Sequence, residues 1–90
     1  MWKVQLPRSL EKTLRNLPQE VGRLLKALVT DFENEGPFPK GWRIESLHGE
    51  WKGYLKVRLK KQYRVIYRYE SSVITIFIER LSHRKDIYGR

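Results

Sequence analysis

Lys56, Arg58 and Arg64 are the side chains with which this chain could do chemistry, and their spacing puts them together. Residues 53–88 read GYLKVRLKKQYRVIYRYESSVITIFIERLSHRKDIY: three apolar-alternating runs interleaved with cations, closed by a polar and aromatic cluster. Side chains alternate across a strand, so a strand over 54–60 sends Leu55, Val57 and Leu59 to one face and Tyr54, Lys56, Arg58 and Lys60 to the other. A second strand over 63–69 puts Val65 and Tyr67 on one face and Arg64, Ile66 and Arg68 on the opposite one. Cations held on a rigid face, with tyrosines among them, suit a phosphate-rich partner through counterion release and base stacking. They also suit cleavage within an RNA strand. That reaction needs a base for the 2′-hydroxyl proton, cations for the extra charge of the pentacoordinate phosphate, and an acid for the leaving 5′-oxygen. Arginine fits the charge-holding role, because its fork stays protonated and matches phosphate oxygens. A lysine serves as base only where its ammonium gives up a proton, and neighbouring cations push in that direction. A passive RNA-binding face uses the same residue types, so both readings stay open at this point.

Other chemistries find less support. His48 and His83 are far apart in sequence and have no supporting ligand set, and there are no cysteines, so no metal site is expected. No glycine-rich phosphate loop precedes a helix, and no cofactor is expected. Ser46, Ser71, Ser72 and Ser82 lie in no motif for Ser-His-Asp catalysis. Glu45 and Glu50 are the only nearby carboxylate pair in the loop region.

The charge distribution points the same way. Nineteen Lys and Arg against ten Asp and Glu give a net +9. Residues 1–39 hold six cations and five anions, and residues 40–90 hold thirteen cations and five anions, so the excess falls on the sheet-forming half. Ninety residues, 40% of them hydrophobic, fit one domain spanning 1–90 with a modest core. No apolar run approaches the roughly 20 residues that cross a bilayer, and the first residues lack the long apolar segment of a signal peptide. A cytoplasmic protein with no membrane partner is expected.

The elements that must position the cations follow from periodicity. Residues 2–6 alternate as a short strand that Pro7 stops. Ser9 is placed to cap a helix carrying Leu10, Leu14 and Leu17, which Pro18 ends. Val21, Leu24, Leu25, Leu28, Val29 and Phe32 then form the stripe of a second, amphipathic helix running to about residue 35. Residues 36–41 are a breaker-rich loop, residues 42–47 a short strand or extended segment, and residues 48–53 a turn with two glycines. The nearly continuous apolar run over 73–79 predicts a central strand buried on both sides. The whole predicts an α+β domain: a short N-terminal strand and a two-helix hairpin packed on one face of a mostly antiparallel sheet of about four strands.

With these residues in view, the chain resembles the RelE/ParE superfamily of toxin–antitoxin toxins. The resemblance rests on Leu47 and Gly49, Gly53-Tyr54, Lys56-Val57-Arg58, the Y-R-V-I-Y run of 63–67, the apolar strand 73–78 and the H-R-K-D-I-Y run of 83–88, and it covers nearly the whole chain. It implies a RelE-like microbial ribonuclease-type fold and a toxin held inactive by a cognate antitoxin. RelE-like members cut mRNA in the ribosomal A site, and contacts to 16S rRNA would run through the basic surface. ParE-like members share the fold and inhibit DNA gyrase; a non-catalytic nucleic-acid-binding domain is the third possibility. Carried over by position, Arg64 matches the arginine that stabilises the transition state. Lys56 and Arg58 match the alternating base and phosphate holder. Arg84 matches the arginine proposed as general acid, and Tyr88 the tyrosine that stacks on the mRNA base. His83 offers a further acid–base group near neutral pH. The chain departs from the pattern in having Arg58, a poor base, in the alternating pair, which leaves that role to Lys56. Its link from the basic strand to Arg64 is longer than in well-known RelE members, and its Arg84–Tyr88 spacing is shorter.

Overall fold

The computed structural model describes residues 2–80 of the 90. Residues 83, 84 and 88, three of the candidate positions, lie outside the described residues.

Five strands form one sheet: β1 (Lys3–Gln5), β2 (Ile44–Ser46), β3 (Leu55–Leu59), β4 (Tyr63–Glu70) and β5 (Val73–Arg80), in the order β1-β5-β4-β3-β2. Only the β1–β5 pairing is parallel, because the chain between them passes through the helices and returns by an antiparallel meander. The expected α+β architecture is present. The segment left open between strand and extended chain is β2, which pairs antiparallel with β3.

Two helices cover one face. α1 (Glu11–Arg15) is short, and α2 (Gln19–Glu35) is the principal helix. Ser9 does not cap α1. Pro7 holds an extended conformation and its carbonyl accepts the Leu10 N–H at 3.0 Å, so residues 8–10 form a 3-10 turn with Ser9 inside it. Pro18 precedes α2 as predicted, and its carbonyl accepts the Gly22 N–H at 2.9 Å. Along α2, Val21, Leu25, Leu28 and Phe32 are buried, at the spacing that keeps side chains on one stripe. They meet Leu55, Val57, Leu59, Tyr63, Val65, Tyr67, Ile74, Ile76 and Ile78 from the sheet.

The run over 73–79 forms an interior strand, paired with β1 on one side and β4 on the other, but it is not buried on both faces. β4 holds the centre, and β5 lies second from the edge with Ile74, Ile76 and Ile78 buried under the helices. Its other face, with Val73, Thr75, Phe77 and Glu79, is only half-covered, because no helix packs there. The apolar character of that face hides the alternation in the sequence.

Tyr67 anchors the loop after α2. Its ring lies 4.7 Å from that of Phe32, centroid to centroid, and its hydroxyl donates to the Pro37 carbonyl at 2.6 Å. Burial, with the nearby Tyr69 adding to it, pushes the Tyr67 hydroxyl well above the usual phenol range, so it remains a donor. Gly36 ends α2 at φ 87°, donating to the Phe32 carbonyl at 2.9 Å. A Cβ there would come within 2.7 Å of the Trp2 indole nitrogen.

Candidate phosphate-binding cleft on the open sheet face

The face without helices carries rows of side chains set by strand register. Arg58 stands directly opposite Arg64, and Arg64 opposite Glu79. Lys56 stands opposite Glu45 on one side and Ile66 on the other, and Ile66 opposite Phe77. Three of the predicted residues, Lys56, Arg58 and Arg64, therefore lie together. They line one cleft of about 500 Å³ with Trp42, Arg43 and Glu45.

Like charges directly opposite each other across two strands repel, so the Arg58–Arg64 pairing costs stability. Glu79 offsets part of that. It accepts the Arg64 Nε–H at 2.6 Å, with the arginine side chain 26% exposed and the glutamate 44%. The contact uses Nε alone, so the two terminal nitrogens of the Arg64 fork take no part in it. The Lys56 ammonium sits 3.7 Å from a Glu45 carboxylate oxygen, an ion pair without close hydrogen-bond geometry. Arg58 makes no ion pair with a carboxylate of the described residues. Trp42 forms part of the wall and is tied back to α2, its indole donating to Asp31 Oδ2 at 2.8 Å.

Lys60 does not join this face. It sits at φ 62° in the β3–β4 turn, and its ammonium pairs with Glu20 of α2 at 2.9 Å, on the helix side. The left-handed turn residue breaks the strand alternation that placed Lys60 beside Lys56 and Arg58.

Two charged residues of the cleft were not among the predicted site residues, Arg43 and Glu45. Their signal was present: they alternate with Ile44 and Ser46 as Lys56 and Arg58 do with Val57. It becomes decisive only when β2 is paired in register with β3. The cleft can hold a phosphate among four cations and set a carboxylate within reach of a bound hydroxyl. Among the described residues no group of three or more His, Cys, Asp or Glu could hold a metal ion, and no helix is long and apolar enough to cross a membrane.

Solved structures share this fold. A chain of the YoeB–YefM complex from Staphylococcus aureus is similar over 92% of this chain and 98% of its own, with 14% identity and a TM-score of 0.72. A chain of the RelB–RelE antitoxin–toxin complex from Methanococcus jannaschii is similar over 93% and 94%, with 20% identity and a TM-score of 0.70. A chain of the archaeal RelE–RelB complex from Pyrococcus horikoshii OT3 is similar over 88% and 93%, with 25% identity and a TM-score of 0.69. No curated protein matches the chain in sequence. The family model described as the RelE-like toxin of the type II toxin–antitoxin system HigB matches residues 6–80. Those residues include both helices, strands β2 to β5 and the whole cleft, and the chain belongs to this HigB-like family of RelE-like toxins.

Proposed function

We propose that this toxin is a ribosome-dependent, metal-independent mRNA endoribonuclease that stops translation by cutting mRNA in the A site, and that a cognate antitoxin holds it inactive. The observation that carries this reading is the cleft: Arg43, Lys56, Arg58 and Arg64 around one carboxylate, Glu45, on a sheet face with no helix over it. In the reaction the 2′-oxygen attacks the adjacent phosphorus, the bond to the 5′-oxygen breaks, and a cyclic phosphate remains. Arg58 and Arg64 hold the non-bridging oxygens, where charge grows in the transition state. The ammonium of Lys56 is engaged by Glu45, so the Glu45–Lys56 pair divides the work: the carboxylate accepts the 2′-hydroxyl proton and the ammonium steadies the charge. Protonation of the leaving oxygen is assigned to Arg84 or His83 and base stacking to Tyr88; these assignments rest on the family resemblance. The basic surface around the cleft would face 16S rRNA.

The antitoxin partner is supported by the RelB–RelE and YoeB–YefM assemblies, in which proteins of this fold were solved as complexes. A basic cleft calls for an acidic segment to fill it. The test is to map mRNA 5′ ends after brief induction. Cuts inside translated codons, absent upstream of the start codon and in untranslated RNA, are the expected result. Intact mRNA with loss of supercoiling would replace this reading with gyrase inhibition.

A further inference from the structure

The three large apolar side chains that stand exposed among the described residues are Phe38 at 56%, Trp51 at 46% and Tyr69 at 45%. They gather at one end of the sheet. Phe38, Tyr54 and Tyr69 border a depression of about 240 Å³, and Trp51 meets Tyr54 edge to face at 5.2 Å and 86°. Exposed apolar surface concentrated in one place marks a contact site.

The Trp51–Tyr54 end of this patch adjoins the cleft. Tyr54 precedes β3 and continues its ladder, its carbonyl accepting the Leu47 N–H at 3.0 Å. It is two residues before Lys56, and so on the same side of the strand and about 6.8 Å along it. The register that pairs Leu55 with Tyr67 puts Arg68 opposite Tyr54, and the Arg68 guanidinium lies 6.0 Å from the Tyr54 ring centroid. Trp51 is held by backbone rather than by burial: its N–H donates to the His48 carbonyl at 3.3 Å, and its own carbonyl accepts the Tyr54 N–H at 2.9 Å. A half-exposed indole on a braced turn, a cation on the neighbouring ring and a phosphate cleft one step away fit a nucleobase with its backbone phosphate.

We propose that Trp51, Tyr54 and Arg68 form a stacking subsite for an unpaired base of the RNA strand, one or two nucleotides from the phosphate held in the Lys56–Arg58–Arg64 cleft. Arg68 holds the phosphate attached to that base, and Trp51 supplies the stacking surface. The subsite rests on the reading of the cleft as an RNA site, and it makes cleavage sensitive to a position outside the scissile step.

The test uses the full chain and a 2′-O-methyl single-stranded RNA hexamer, which cannot be cleaved. Binding is measured for the wild type, Trp51→Ala and Trp51→Phe, with the intact hexamer, with single abasic positions moved along it, and with a fully abasic strand. Trp51→Ala is expected to weaken the intact hexamer about tenfold, while Trp51→Phe retains most of the affinity. One abasic position should weaken the wild type by a similar factor and cost Trp51→Ala nothing further. Equal binding of intact and fully abasic strands by the wild type overturns the subsite. So does a Trp51→Ala loss that is the same at every abasic position, or a loss confined to antitoxin binding. Mapping of mRNA 5′ ends separates the two proposals. Cleavage without the Trp51–base coupling removes the subsite and keeps the nuclease; coupling without cleavage does the reverse.

Discussion

Alternate residues of β3 and β4 build two faces with opposite properties. On the helix-covered face, Leu55, Val57, Leu59, Tyr63, Val65 and Tyr67 are buried against α2, and the one phenol hydroxyl there that is donated inward finds the Pro37 carbonyl. On the other face, Lys56, Arg58 and Arg64 stand in a cleft, with two arginines directly opposed. The first arrangement lowers the free energy of the fold through apolar burial. The second raises it through like-charge repulsion and leaves charge to be met by a ligand. Surface that works against stability while converging on one cleft is what a binding site costs its protein. The difference teaches where to look for function in so small a domain: on the face that the fold would do better without.

That contrast can be broken by substitution on either side. Phe32→Ala on the covered face should cost about 3–5 kcal/mol, measured by chemical denaturation, because it opens a cavity beside Tyr67. On the open face, Arg64→Ala should lower mRNA cleavage by about 10²- to 10³-fold while moving the denaturation midpoint little. Gly36→Ala should destabilise by roughly 1–2 kcal/mol, since the left-handed backbone is unfavourable to alanine and its methyl would meet Trp2. Tyr67 gives the comparison a pH dependence. An unfolded tyrosine ionises near pH 10, whereas burial keeps the folded one protonated to higher pH. Its contribution is therefore complete below about pH 10 and is lost as pH rises beyond that, and Tyr67→Phe should flatten this alkaline decline in the unfolding midpoint. The smallest effect lies in the β4–β5 hairpin, where Ser71 and Ser72 take φ values of 50° and 67°. Ser72→Gly should stabilise by about 0.5–1 kcal/mol in a turn that favours glycine, without altering cleavage.

Much of this was legible in the chain. The strict alternation of Leu55, Val57 and Leu59 with Lys56 and Arg58 gave both faces of β3, and the stripe from Val21 to Phe32 gave α2, because each signal is local and repeats. Lys60 was misplaced because a single left-handed residue reverses direction where no glycine advertises a turn. Arg43 and Glu45 show a local alternation, but their place in the cleft, like that of Glu79 beside Arg64, was not legible. Their roles arise from pairing across 11 positions for Glu45 and Lys56, register mates on β2 and β3, and across 15 for Arg64 and Glu79. Nonlocal register of this kind leaves no periodic trace in one sequence. The resemblance supplied His83, Arg84 and Tyr88, which lie outside the described residues.

Arg58 tests the contrast most directly, since it faces Arg64 and pairs with no carboxylate of the described residues. The measurement is the cleavage rate of Arg58→Thr on translated mRNA, with the unfolding midpoint taken on the same preparation. A rate lower by about 100-fold in a protein as stable as the wild type, or more so, is the predicted result. Full cleavage by Arg58→Thr, or a loss of activity that only follows a loss of stability, would contradict it.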